Sequence, residues 1–381
     1  MDAYKQAAVS YPSKLSGARR GYLFTKPFAD DPFGDDFCGK LHDFAHIVDL
    51  LRLPRGSSIL DVGCGPGWVT EFLGRLHYDV VGVDISPEMI RIARKRLRRL
   101  GFPRWGRGLS VRYVVADCEN LKLGRTFDAA ILHEALHHFA DEGKVLGGIF
   151  AHLRPGARLV MKEPPAMHAE SPETKAEVAE FGVLERGFTR EHLVGALDAA
   201  GFRNVVSLRQ IDVVVLEAHC GDQALAAASG PTPMHFLLAA RPGPGAFDSR
   251  WPHVLGMDLV AEGVPEECEP ALPLRFRVTA RNTGDTVWLS RGSLAGGNVR
   301  LGVKLLDAEK RVVDQQLGWA MLASDVPPGE SATLEGSCRA PGVAGDYFVR
   351  FDLVAEHITW FEGRGAVPLD VPLRVRGATT A

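Results

Sequence analysis

Apolar residues follow two different rhythms along this chain, and the change comes near residue 241. Before it, short apolar runs at 58–62, 79–84, 111–115, 127–132 and 158–163 alternate with stretches that repeat every three to four residues. Runs that short and that rich in Val, Ile and Leu read as strands buried on both faces of a parallel sheet. Between them, Ile90, Ala93, Leu97 and Leu100 mark the apolar face of a helix, and 189–200 predicts another, with Thr189 as N-cap and Gly201 just past its end. Two more strands are expected at 204–209 and 234–240. The alternation predicts a doubly wound α/β domain. Upstream, Leu41, Phe44, Ile47, Val48 and Leu51 predict a helix over 37–51. The residues before it, with Tyr22, Phe24, Phe28, Phe33, Pro27 and Pro32, read as irregular.

After Arg241-Pro242-Gly243-Pro244-Gly245 the helical rhythm almost disappears. Strand-like runs at 274–279, 299–305 and 347–354 are separated by Pro327-Pro328-Gly329 and Pro341-Gly342, the pattern of an antiparallel β-sandwich. The expected organisation is a helical cap or lid over 1–50, an α/β domain over 51–241, a linker over 242–252 and a β-domain over 253–377.

With 381 residues, 46% of them hydrophobic, the chain can build two substantial cores. A net charge of −3 supplies no global field for nucleic acid or an anionic membrane. Eight basic residues between Arg91 and Arg107 share their helix with an apolar face, so they read as its solvated side and no nucleic-acid partner is expected. No apolar window is long enough to span a bilayer, and no signal-peptide pattern precedes residue 26. The six cysteines are scattered without a C-x-x-C pair, which fits reduced thiols and a cytoplasmic setting.

The candidate chemistry gathers where the apolar runs end. The run 58–62 leads into Gly63-Cys64-Gly65-Pro66-Gly67-Trp68, three glycines in five residues ahead of a helix. Such a turn leaves no side chains between a ligand and the main-chain N–H groups. Trp68 stands where a dinucleotide fingerprint needs its third glycine, which disfavours a pyrophosphate. Asp84, 23 residues after Asp61, ends the second run; it suits two ribose hydroxyls or the start of the helix opened by Ser86-Pro87-Glu88. Asp117 ends the third run and also suits a helix N-cap.

The fourth run ends in His133-Glu134-Ala135-Leu136-His137, an H-E-x-x-H string followed by His138. A zinc protease needs both histidines on one helical face, whereas this string follows a strand, so no metal is expected. His133, His137 and His138 are candidate general bases, since imidazole titrates near neutral pH; packing of the next turn is the competing reading for His137 and His138. Glu134, Glu163 and Tyr22 are candidate substrate contacts. The polar stretch from Pro164 to Gly187 is a candidate pocket-shaping insertion, in which Glu180 and Glu185 read as solvated surface.

The string Leu60-Asp61-Val62-Gly63-Cys64-Gly65-Pro66-Gly67 resembles the first motif of class I S-adenosylmethionine-dependent methyltransferases. The resemblance covers about residues 50–240 and implies a Rossmann-like sheet of seven strands, the last antiparallel. It implies S-adenosylmethionine as cofactor, with Asp61 at its amino group, Gly63 and Gly65 beside its methionine part and Asp84 at the ribose. Asp117 would then accept from the adenine amino group and the Cys118 N–H would meet a ring nitrogen. Arg281-Asn282-Thr283-Gly284-Asp285-Thr286-Val287-Trp288 and Phe351-Asp352-Leu353-Val354, with Trp360-Phe361, resemble immunoglobulin-like modules appended to bacterial enzymes. The expected activity is O-methylation of a hydroxyl on a saccharide or other small acceptor. N- or C-methylation of a metabolite, and a non-catalytic protein working through its β-domain, are the alternatives.

Overall fold

A computed structural model describes residues 2–28, 37–99, 110–208, 235–243, 245–292 and 296–377. Phe33, Leu100, Arg104, Arg107, Arg209, Cys220, Met234 and Pro244 lie outside the described residues. The chain divides into two compact units, Met1–Pro242 and Gly243–Ala381.

In the first unit the strands are β1 (Ser58–Val62), β2 (Asp79–Asp84), β3 (Val111–Val115), β4 (Phe127–His133), β5 (Leu153–Glu163), β6 (Arg203–Leu208) and β7 (His235–Ala240). They form one sheet in the order β3-β2-β1-β4-β5-β7-β6. The first five are parallel to one another, and β7 runs antiparallel to both β5 and β6. Every residue of β1 is buried, which explains its unbroken apolar run. Reversal between β2-β1 and β4 opens a crevice at the C-terminal strand ends, where α/β sheets bind ligands.

The helices are α1 (Ala3–Lys14), α2 (Gly17–Thr25), α3 (Phe37–Leu51), α4 (Trp68–Arg75), α5 (Pro87–Arg99), α6 (Glu142–His152), α7 (Pro172–Phe181) and α8 (Arg190–Ala199). Thr189 caps α8 as its sequence implies, accepting from the His192 N–H. Three expectations need correction. Residues 3–25 are helical, not irregular: α1 buries Lys5, Ala7 and Pro12, so its hold comes from specific contacts and leaves no apolar rhythm. The stretch 164–187 contains α7, which buries only Thr174 and Phe181 and so carries no stripe to read. In α5 the basic residues are not simply a solvated side, since Arg96 is buried, pairing with Glu71 and donating to the carbonyls of Leu23 and Lys26.

The second unit is built from β8 (Phe247–Asp248), β9 (Met257–Glu262), β10 (Glu267–Cys268), β11 (Pro273–Asn282), β12 (Thr286–Val287), β13 (Val299–Asp307), β14 (Val312–Met321), β15 (Ser331–Arg339), β16 (Gly345–Ala355), β17 (Thr359–Trp360) and β18 (Leu369–Val375). A six-stranded sheet runs β10-β18-β16-β13-β14 with β17 on β16; β15-β11-β9 and β12-β8 form two smaller sheets. Strand β11 alternates exposed and buried residues along its whole length. Its Phe276 meets Phe351 of β16 edge-on at 5.2 Å, so two sheets share one core. The expected linker over 242–252 is corrected here. Phe247–Asp248 pairs with Thr286–Val287, and the buried Asp248 carboxylate grips the buried Arg250 guanidinium, fastening this segment into the second unit.

Asp352 of β16 is fully buried, 3.7 Å from the Lys304 ammonium. Burial, reinforced by the Glu362 carboxylate, pushes its pKa up to about 7 against the pull of Lys304. A carboxyl raised in the folded state binds more protons there than in the unfolded chain, so its contribution to stability falls as pH rises from about 4 to about 7. Asp352→Asn removes that decline. Calorimetric unfolding of parent and variant at pH 5 and pH 8 is expected to show the parent losing ground to the variant at the higher pH. Parallel profiles would exclude the effect.

Candidate active site

The glycine turn between β1 and α4 meets the end of β2. Gly63 has φ +69°, and a Cβ there would lie 2.6 Å from the Ala135 Cβ, so glycine is required for the loops after β1 and β4 to touch. Gly65, at φ +51°, has nothing within 4 Å of the corresponding position; its open side is a cradle for a ligand. The Asp84 carboxylate accepts from the main-chain N–H groups of Gly65 at 2.9 Å and Ser86 at 2.8 Å. It therefore shapes the glycine turn and the turn into α5, whose start is capped by the Ser86 hydroxyl accepting from the Met89 N–H. Burial raises its pKa despite those bonds.

Asp61 is buried and accepts from Thr70 Oγ1 at 2.5 Å, while burial lifts its carboxyl to about 6. Asp117 accepts from the Glu119 N–H, as an N-cap does, and also from the Lys5 ammonium at 2.8 Å. Cys118 is buried beneath the turn, its thiol pushed up by that burial. Lys5 also pairs with Glu119, which accepts from the Tyr4 hydroxyl and the N–H groups of Ala140 and Asp141. Helix α1 is thus tied to the strand-end crevice by an internal ion network. The residues present fit S-adenosylmethionine: an open glycine cradle, a carboxylate at the tip of β2 and an acidic residue after β3.

The rim after β4 is held by Glu163. This carboxylate has no solvent exposure and accepts from the N–H groups of Ala135 (3.0 Å), Leu136 (2.7 Å) and His137 (3.2 Å), and from His137 Nδ1 (2.8 Å). Its expected role as a substrate contact is corrected: both oxygens are spent on the loop. His133 and His137 of the H-E-x-x-H string part company. His133 ends β4 with Nε2 3.3 Å from Asp43, and His137 turns to Glu163 and Glu185. A shared helical zinc site is thereby excluded.

His138 is a poor base here. Desolvation opposes its charge, but the Glu185 carboxylate 3.2 Å away prevails and raises its pKa to about 9, leaving no free lone pair at neutral pH. Glu185 is buried among His137, His138 and His168, contrary to its reading as solvated surface; Glu180 is exposed beside Arg19. Glu134 sits at φ +51°, and burial is outweighed by Lys162 and His133, which hold its carboxyl well below the usual range. Tyr22 is buried on α2 with the Lys26 ammonium 5.7 Å from its ring, and Lys26 adds to the field on Glu134.

Asp43 and Lys162 were not anticipated. The Lys162 ammonium bonds Asp43 at 2.5 Å and Glu134 at 3.1 Å, and both Lys162 and Asp43 are buried. Their signal was present: a carboxylate one turn before Ile47 on an apolar helix, and a lysine inside an apolar strand. Charges placed there need partners, and they found each other.

Residues 60–161 match the family described as Methyltransferase domain. The chain is 29% identical over 199 residues to phosphoethanolamine N-methyltransferase 1 of Triticum aestivum, covering 50% of this chain and 38% of that protein. It is 34% identical over 126 residues to the ubiquinone biosynthesis O-methyltransferase of Xanthomonas axonopodis pv. citri (strain 306), covering 30% of this chain and 50% of that protein. The chain therefore spans half or less of the length of these relatives. Haemonchus contortus phosphoethanolamine N-methyltransferase 2, solved in complex with S-adenosyl-L-methionine, is 18% identical over 60% of this chain and 61% of its own, with a TM-score of 0.42. No helix among the described residues is long and apolar enough to cross a membrane.

Glu163→Gln keeps the shape but turns an NH₂ group toward main-chain donors. The expected loss is about 1–3 kcal/mol, the cost of a buried polar group left unpaired. It is read as a lower urea midpoint at unchanged slope; an unmoved midpoint would mean that other bonds hold this loop.

Proposed function

We propose that the first unit transfers a methyl group from S-adenosylmethionine to a hydroxyl on a small polar acceptor, a saccharide or saccharide-containing molecule. The sulfonium of the donor supplies an electrophilic methyl group. The chain supplies alignment and, for a hydroxyl, a group that takes the proton. The observation that carries this reading is a pair of imidazoles at the rim, each backed by a buried carboxylate: His133 by Asp43 and His137 by Glu163. A carboxylate behind an imidazole fixes its tautomer and orientation, the arrangement a general base uses. In this reading Asp61, Gly63, Gly65, Asp84, Asp117 and Cys118 bind the cofactor. Glu134 and Tyr22 face the acceptor, and Glu163 is a positioning residue. The second unit is read as an immunoglobulin-like sandwich, the module that motivates a saccharide-containing acceptor.

Amine methylation is the second reading, favoured by the anionic Glu134 at the rim, which would attract a cationic ammonium acceptor. Phosphoethanolamine N-methyltransferases and ubiquinone O-methyltransferases both occur among the relatives, so likeness alone does not choose the acceptor atom.

Calorimetry with S-adenosylmethionine comes first. Saturable binding is expected, weakened at least tenfold by Asp84→Ala, because bonds to a charged acceptor contribute about 1.5–3 kcal/mol each. An absence of saturable binding would favour a non-catalytic protein working through its β-domain. Turnover against hydroxyl and amine acceptors then separates the chemistries. His133→Ala or His137→Ala is expected to lower kcat for a hydroxyl acceptor by about 10²–10⁴-fold with cofactor affinity retained. Unchanged turnover in both variants would sink the hydroxyl reading.

A further inference from the structure

Three loops at the C-terminal rim of the first unit bring His137, His168 and Glu185 together, with their ligand atoms all within 4.8 Å of one another. His137 lies in the turn after β4, His168 in the turn Ala166–Glu170 after β5, and Glu185 between α7 and α8. Main-chain bonds hold these loops in place without help from the three side chains. The Arg186 N–H donates to the His137 carbonyl at 3.2 Å, and the Phe188 N–H donates to the Pro164 carbonyl at 3.2 Å. Gly187 lets the strands of chain touch: a Cβ there would lie 2.4 Å from the Pro165 carbonyl oxygen.

The donor set has the chemistry of a metal site. The Glu163 carboxylate accepts from the His137 Nδ1–H, which leaves a lone pair on Nε2, 3.5 Å from Glu185 Oε2. That carboxylate–imidazole pairing is the arrangement that orients metal-bound histidines. His168 Nε2 is 3.1 Å from the same Glu185 oxygen. The other oxygen, Oε1, is held by His138 Nδ1 at 3.2 Å, a supporting bond behind a carboxylate ligand. Nitrogen and oxygen ligands about 2.0–2.2 Å from a tetrahedral ion lie roughly 3.3 Å apart, close to two of these spacings. His168 is one-third exposed, so its ring can adjust.

The neighbouring group Asp43, His133 and Glu134 makes an informative contrast. Its centre is already filled by the Lys162 ammonium, bonded to both carboxylates. No lysine or arginine bond to the Glu185 carboxylate is recorded among the described residues, and its partners there are three imidazoles.

We propose that His137, His168 and Glu185 bind one divalent transition-metal ion of zinc's size, leaving a coordination position open. The site goes beyond the methyl-transfer reading: an ion on His137 Nε2 uses the lone pair that His137 would need as a base and leaves His133 in that role, and ion binding is measured without turnover. It lies two residues from Ala135, which packs on the glycine turn.

The test uses the full chain stripped with a chelator. Co²⁺ is titrated while visible d–d absorption is recorded, and Zn²⁺ is titrated by calorimetry. One ion per chain is expected with micromolar or tighter affinity, together with a raised unfolding midpoint. His168→Ala and Glu185→Gln are each expected to weaken binding at least tenfold, whereas His192→Ala, at an exposed residue elsewhere on the rim, leaves it unchanged. Metal-free unfolding curves establish that the variants are folded. Should Glu185→Gln not fold, His168→Ala, at a partly exposed ring, decides the matter alone. Absence of a one-to-one complex, or equal affinity in parent and His168→Ala, would overturn the site.

Discussion

One carboxylate without solvent access holds the working rim of the first unit together. Glu163 stands at the end of β5, where a charge is costly unless every lone pair is used, and four donors from residues 135–137 use them. Consequences run both ways along the sheet. Ala135 is pressed onto Gly63, which sets the distance between the glycine turn and the loop after β4. His137 is fixed in one tautomer, which sets what its other nitrogen can do.

Around that anchor the first unit distributes charge in separate, internally paired groups. Lys5 closes one at Asp117 and Glu119, Lys162 closes another at Asp43 and Glu134, and Arg96 a third at Glu71. The first joins α1 to the turn after β3 and the second joins α3 to β5, each across more than a hundred residues, whereas the third joins α4 to α5. Such pairs contribute more to specificity of arrangement than to net stability, because desolvation offsets much of their attraction.

Much of the frame was legible because buried parallel strands have no polar face to disguise them. Strands β1, β2 and β3 have the bounds that their Val and Ile runs predict, and β7 is antiparallel as the family resemblance implies. The glycine turn and Asp84 were legible for the same reason: close backbone approach and an acidic strand tip are local signals. What escaped was built from long-range pairing. Helix α1 has no apolar stripe and is secured by Lys5 to residues more than a hundred positions away. Glu163 read as a substrate contact and Glu185 as solvated surface because their partners come from other loops. The segment from Ala246 to Trp251 read as linker because its hold is a two-residue strand pairing with Thr286–Val287 and hydrogen bonds between Ser249 and both Gly297 and Leu289, not an apolar run.

The Glu163 clamp also separates what this rim can vary from what it must keep. Three of its four bonds are to main chain, so they are indifferent to which side chains stand at 135, 136 and 137 beyond their size. Residues 168 and 185 lie on other loops, and the second of these meets this one through a backbone bond from the Arg186 N–H to the His137 carbonyl. Descendants of such a scaffold can therefore exchange the rim's functional groups, and with them the molecules it receives, while inheriting the frame intact. Diversification here is a matter of side chains on a conserved mount.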